Sequence, residues 1–181
     1  MPAHGGKDSG AVSNKIIEKD LNLTIAKELY NALGKRGAIV LLTRDGDYDL
    51  SSSNYSRKRS DLYNRAKVIN ESNANMFISI HLNSDLNSSY RGIQLFYNSI
   101  NKENKLIAEA IYNSLKNNIS NVRDNKNYND YYMYKNIKVP GVLIECGFIS
   151  NPYDNYNLRQ DSYRKKLINS IVNGIINYYY N

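Results

Sequence analysis

The chain has two histidines, His4 in AHGGKDSGA and His81 in FISIHLNS, and each lies beside backbone that can present it: a glycine-rich loop for one, the end of an apolar run for the other. Glu18 opens a segment with helical spacing, and Glu145 closes the apolar run VLIE. Two imidazoles and two carboxylates are what a catalytic zinc site requires, three as ligands and one as the base for a water in the open fourth position. Taken singly, a histidine or glutamate is more often a satisfied core or surface group. The conjunction carries the weight, because a carboxylate inside an apolar run is costly without a partner.

These side chains need elements to bring them together. Leu21, Ile25, Leu29 and Leu33 recur at helical spacing from about Glu18, and Gly34 and Gly37 supply the stop. AIVLLTR (Ala38 to Arg44) is short, apolar and followed by Asp-Gly, which predicts a buried strand ending in a turn. The polar stretch DYDLSSSNYSRKRSDL then reads as a loop. Leu62, Ala66 and Ile69 mark a second helix from about Ser56 to Ser72.

MFISIH and GIQLFYN follow as strands, joined by a polar loop. A helix is expected over Lys102 to Asn118 with Leu106, Ala110 and Leu115 inward, and Ile119 to Asn136 is the least structured stretch, either a mobile loop over the site or ordinary surface. Gly141 to Cys146 is a strand, and Ser162 to Tyr179 a last helix packing through Leu167, Ile168, Ile171, Ile175 and Ile176.

Alternating strands and helices predict a single α/β domain over residues 1–181, a twisted, mostly parallel sheet with helices on both faces. In such sheets ligands bind at the carboxyl ends of the strands. His81 and Glu145 end their apolar runs, and the His4 loop and the start of the first helix can reach the same edge.

Composition narrows the partners. The 181 residues suit one domain. An excess of 24 basic over 17 acidic residues gives a net charge of +7, which favours anionic partners without choosing among nucleic acid, membrane phosphates and wall polymers. The single Cys146 excludes an intrachain disulfide and a cysteine zinc cluster. Its side chain should point away from that of Glu145 and act as a small buried hydrophobe. No apolar run approaches the roughly 18 residues of a membrane span, and nothing resembles a signal peptide. The chain starts abruptly in a loop, as though a leading segment had been removed.

AHGGKDSGA, IEKDLNL, LLTRDGD, RKRSDLYNRAKVIN, FISIHLNS, RGIQLFY and VPGVLIECGFISNP, in this order and across essentially the whole chain, resemble the successive motifs of the zinc-dependent N-acetylmuramoyl-L-alanine amidases of type 3. DYDLSSSNYSRKRSDLYNRAKVINES with ISIHLNS is most similar to the sporulation members of that family, which strip peptide stems from cortex peptidoglycan on the way to muramic-δ-lactam.

The resemblance implies that His4, Glu18 and His81 bind one Zn²⁺, that Glu145 is the catalytic glutamate, and that the bond cut joins N-acetylmuramic acid to L-alanine. Asn83 and Arg65 match family positions as candidates for orienting a ligand or contacting substrate, and so does Arg44. A plain loop asparagine and a sheet-edge salt bridge account for them equally well.

The sequence also departs from the family. Met1 and Ala3 stand where the family loop carries Asp and Gly, and the strand expected before them is missing. No insertion between Gly92 and Pro140 is long enough for the occluding helix of some relatives, so regulation is expected from a protein partner. The expected setting is extracytoplasmic, at the cell envelope or between the forespore membranes. Two rival readings remain: another zinc peptidase acting on wall peptides, and a catalytically silent basic module binding peptidoglycan or nucleic acid. Nucleic acid is the weaker version, because no single element interleaves basic and aromatic residues.

Overall fold

FISIHLN and the unbroken apolar run GVLIECGF become neighbouring strands, because burial on both faces is what such runs of branched residues satisfy. The computed structural model describes residues 1–52 and 56–180. In chain order the elements are β1 (Val12–Ser13), β2 (Ile16–Ile17), α1 (Glu18–Gly34), α2 (Arg57–Glu71), β3 (Phe77–Asn83), β4 (Gln94–Tyr97), α3 (Lys102–Asn118), β5 (Lys126–Asn127), α4 (Tyr132–Asn136), β6 (Gly141–Phe148), α5 (Pro152–Arg159) and α6 (Asp161–Tyr180).

The fold is a single α/β domain whose four-stranded sheet has the order β3-β6-β4-β5. β3 and β6 are parallel, β4 and β5 are parallel, and β4 runs antiparallel to β6. β1 and β2 form a separate two-stranded hairpin ahead of α1.

Side-chain alternation divides the sheet into two faces. Ile80, Leu82, Val142, Ile144 and Cys146 pack with α1, α3 and α6 into the main core, joined by Ile107, Ile111, Leu167 and Ile171. The opposite face carries a smaller cluster of Ile69 from α2 with Phe77, Phe96 and Leu143. His81 and Glu145 share the parity of Phe77 and Leu143, so both emerge on this second face.

Several expectations change. Ala38 to Arg44 is in no strand: Ile39 is 98% and Leu41 61% exposed, because no neighbouring strand pairs with that run among the described residues. In α3 Leu115 is buried as expected and Ala110 partly so, but Leu106 is half exposed and its neighbour Ile107 is buried in its place. Residues 119–136 include β5 and α4, and 152–159 form an additional helix started by the Asn151 side chain, which accepts from the Tyr153 and Asp154 amides ahead of Pro152. Residues 53–55 of the expected polar loop lie outside the described residues.

Candidate metal centre

Hydrogen-bond register, rather than strand ends, brings two of the four residues together. His81 on β3 is paired with Glu145 on β6, and Gln94 on β4 with Glu145 from the other side. Both strands continue beyond these residues, to Asn83 and Phe148, with a register irregularity between His81 and Asn83. The pair therefore stands on one face, near the C-terminal ends of the strands.

Glu18 is the first residue of α1, where the positive end of the helix dipole favours a carboxylate. Its Oε2 accepts from the Ala11 amide at 2.8 Å, and its Oε1 accepts from Asn22 Nδ2 and from the Leu82 amide, each at 3.2 Å. The carboxylate is thus tied to its own helix, to the preceding loop and to β3.

His4 is placed by its backbone, which has a φ of 56°. Arg65, only 1% exposed, donates to the Pro2 and His4 carbonyls at 2.6 Å each and pairs with Asp61 at 2.7 Å. Arg44 donates to the Ala3 and Lys19 carbonyls at 2.9 and 2.7 Å. Both arginines hold the main chain around His4 from inside the protein, and their burial leaves no face for substrate. Gly10 has a φ of 64°, and a Cβ there would lie 2.5 Å from Glu18 Oε2 and 2.7 Å from the His4 ring. Glycine lets the loop approach this closely.

Three donor atoms converge as a result. His4 Nε2 is 3.2 Å and His81 Nδ1 3.5 Å from Glu18 Oε1, and the three residues offer ligand atoms all within 4.8 Å of one another. Zinc bonds of 2.0–2.2 Å in tetrahedral geometry separate ligand atoms by roughly 3.3–3.6 Å. Two neutral imidazoles and one carboxylate at this spacing fit that ion. Asp8, which sequence reasoning missed, lies with Oδ2 2.8 Å from His4 Nδ1. A proton on Nδ1 donated to Asp8 leaves Nε2 free to bind metal, the usual support for a ligating histidine.

The titration behaviour follows from this crowding. Burial opposes a charge on Glu18, but hydrogen bonds from His4 and His81 outweigh it and hold the carboxyl well below the usual range. At His4 burial opposes protonation, while Glu18 and Asp8 outweigh it and raise the pKa. At His81 burial prevails and lowers it. Glu145 is 8% exposed, and burial first and the Glu18 charge second push its pKa up to about 8. Its Oε2 is buried and hydrogen-bonds to no described residue, an acceptor left over for a water or a substrate proton.

Asn83 turns locally instead, its Oδ1 accepting from the Ser84 amide at 2.8 Å. Tyr131, from the stretch expected to be least ordered, feels the charges of Glu145 and Glu18, and with burial as the largest cause its pKa rises to about 12. It packs edge-on against Phe96 and Tyr128 on the site's face of the sheet. Cys146 is buried on the opposite face, and burial pushes its thiol well above the usual range.

Comparison with known proteins agrees with this geometry. The family described as N-acetylmuramoyl-L-alanine amidase matches residues 1–177. The germination-specific N-acetylmuramoyl-L-alanine amidase of Bacillus subtilis is 40% identical over 183 residues, covering 98% of this chain and 77% of that protein. Among solved structures, the CwlD amidase from Clostridioides difficile, in complex with the GerS lipoprotein, superposes with a TM-score of 0.92 at 36% identity, covering 98% of this chain and 95% of that one. The amidase AmiC2 of Nostoc punctiforme gives 0.86 at 29% identity, covering 99% and 94%. A match that spans nearly the whole sequence, on a fold that gathers its two histidines and Glu18 at one point, means that the chain belongs to the N-acetylmuramoyl-L-alanine amidases.

Proposed function

We propose that this amidase is zinc-dependent and cleaves the amide between the lactyl group of N-acetylmuramic acid and L-alanine in spore-cortex peptidoglycan, outside the cytoplasm. The observation that carries the zinc reading is the convergence of His4 Nε2, Glu18 Oε1 and His81 Nδ1, with Glu145 in register beside His81. The cortex reading is supported by the identity to a relative named germination-specific and by the likeness to CwlD.

In this scheme His4, Glu18 and His81 hold the ion and Asp8 fixes the His4 tautomer. When bound, zinc supplies a Lewis acid for the scissile carbonyl and lowers the pKa of a water toward about 7. Glu145 performs the proton transfers. Its free Oε2 takes a proton from the attacking water as the new C–O bond forms, and returns it to the L-alanine nitrogen as the C–N bond breaks. Burial and the neighbouring Glu18 charge raise its proton affinity, which suits a group that must hold a proton between two steps. A cation in the site counteracts part of that rise.

Control by a separate protein belongs to the same proposal. Between α3 and β6 the described residues carry only β5 and the five-residue α4, too little to occlude the site, and CwlD was solved with a lipoprotein. Metal content and muropeptide products, wild type against Glu145→Ala, test the chemistry. Loss of cleavage with zinc retained is expected; products that keep their stem peptides, or a Glu145→Ala protein that still cleaves, overturn it. Full zinc occupancy and turnover by the purified chain alone would remove the partner from the scheme, and recovery of the protein in the cytoplasmic fraction would remove the extracytoplasmic setting.

A further inference from the structure

Just past Glu145 an irregularity in the sheet decides where Phe148 points. His81 is paired with Glu145 and Asn83 with Phe148, so β6 uses three residues where β3 uses two. Gly147, at a φ of 146°, takes up the extra residue. Paired residues project to the same side of a sheet. Phe148 therefore stands on the face that carries His81 and Glu145, one step of about 6.6 Å nearer the C-terminal rim.

Arg123 reaches that face from the other side. Its amide donates to the Ile93 carbonyl at 2.7 Å, and Val122 is bridged to Ile93. Ile93 and Val122 pack into the main core, so alternation turns Arg123 to the opposite face, as it does Gln94, the partner of Glu145. The guanidinium carbon lies 5.5 Å from the Phe148 ring and 5.7 Å from the Tyr90 ring, and those rings are 6.4 Å apart. Asp154 fixes this corner, accepting from the Gly92 amide at 2.7 Å and from the Phe148 amide at 2.9 Å.

What the guanidinium lacks is an anion. Arg57, Arg65 and Arg164 each pair with a carboxylate, whereas Arg123 has ring contacts but no ion pair and no side-chain hydrogen bond among the described residues. The nearby acids are already engaged, Asp154 by two amides and Asp124 by the Tyr112 hydroxyl. Arg123 is half-buried. A guanidinium held against aromatic rings keeps a fixed plane and leaves its N–H edge for a ligand, which suits a carboxylate bound through two parallel hydrogen bonds.

We propose that Arg123 binds the free α-carboxylate of the second residue of the stem peptide, and so selects stems in which that group is not amidated. This rests on the amidase reading above. In peptidoglycan the residue after L-alanine is a D-glutamate joined onward through its γ-carboxyl, which leaves an α-carboxylate one peptide unit beyond the bond that is cut. In an extended chain the L-alanine nitrogen and that carboxyl carbon are about 6 Å apart. With the nitrogen above Glu145, which returns the proton to it, this length matches the step of about 6.6 Å to Phe148 and sets the carboxylate against Arg123. The stem then runs toward the C-terminal rim. Lys126, exposed and in register with Phe96, lies the other way along the face and is a flexible point charge.

Two synthetic substrates, N-acetylmuramoyl-L-alanyl-D-glutamate stems with the α-position as acid or as carboxamide, test this in the zinc-loaded enzyme. Wild type should cleave the acid with a kcat/KM about 10–100-fold higher, most of it in KM. Arg123→Gln should lose that margin while cleaving the carboxamide as fast as wild type does, a result that a merely structural role does not give. Lys126→Gln should keep the margin. Equal cleavage of the two substrates by wild type overturns the proposal, and so does a margin that survives Arg123→Gln.

A titration without turnover separates this proposal from the amidase reading. L-alanyl-D-glutamate with its γ-carboxyl blocked should bind wild type at least about tenfold more tightly than its α-carboxamide does, and Arg123→Gln should bind the two alike. If neither substrate is cleaved, the amidase reading fails, and equal binding of the two peptides by wild type then overturns the carboxylate subsite as well. If Arg123→Gln does not fold, the wild-type comparisons alone decide.

Discussion

Replacing Glu145 by Gln tests the electrostatics of the site without any substrate. In the zinc-free protein the Glu145 carboxyl keeps its proton up to about pH 8, against an ordinary value of 4.5, chiefly because of burial and secondarily because of the Glu18 charge. Between those two pH values the folded state binds more protons than the unfolded state, so stability falls as pH rises, and the loss is complete above about pH 8. The interval from 4.5 to about 8, at about 1.36 kcal/mol per pH unit, sets a ceiling of roughly 5 kcal/mol. Water entering a metal-free site reduces it, and roughly 2–5 kcal/mol is expected.

Gln has nearly the same shape and does not titrate. Urea unfolding of chelator-treated wild type and Glu145→Gln, followed at about pH 5 and pH 8.5, should give similar stabilities at the lower pH and a clear advantage to Gln at the higher. His4 titrates in both proteins, so the quantity to read is the difference between the two profiles. Saturating zinc should shrink it, since a cation stabilises the carboxylate. Profiles that run parallel within about 0.5 kcal/mol would refute the assignment of Glu145 as a buried carboxyl kept neutral by its surroundings.

Asp8→Asn removes the charge behind His4 Nδ1 and should weaken zinc binding about 10–100-fold in competition with a chromophoric chelator, with the circular dichroism spectrum unchanged. Arg65→Met leaves Asp61 and the Pro2 and His4 carbonyls without their donor, and urea unfolding should show a loss of about 3–5 kcal/mol. Cys146 is buried with its thiol held protonated, so a thiol reagent should label it only after denaturation and leave the folded enzyme's activity intact; rapid labelling of the native protein would contradict its placement.

The convergence of His4, Glu18 and His81 was legible in the sequence because scarcity and pattern agreed. With only two histidines available, the FISIH run placed His81 on a strand, and the apolar run before Glu145 announced a buried carboxylate. Elements defined by local periodicity, α1, α2 and α6, followed in the same way.

What failed was non-local. AIVLLTR has strand composition, but a strand needs a neighbour, and none of the described segments pairs with it. Asp8 was invisible because its role depends on a left-handed turn at His4 that brings a residue four positions later back onto the ring. Tyr131 was missed because only tertiary packing against Phe96 sets it beside the site. The phase error at Leu106 came from choosing between two adjacent apolar residues, Leu106 and Ile107, that periodicity alone does not separate.

The four site residues are not held with equal firmness, and that asymmetry shapes how metal binding should couple to folding. His81 and Glu145 are locked to each other by a parallel ladder in the middle of the sheet, and Glu18 is fixed by three donors. His4 depends on a segment of three residues paired to β3, on two arginine clamps, and on a backbone conformation that a side-chain-bearing residue adopts only at some cost, on the order of 1–2 kcal/mol. In the proposed scheme, zinc coordination through Nε2 would offset that cost, so occupancy by the ion should order residues 1–10 more than it orders β3 or β6. Amide exchange with and without zinc would then slow chiefly in the His4 loop, and a uniform slowing across the sheet would mean that the ligands are positioned equally well before the metal arrives.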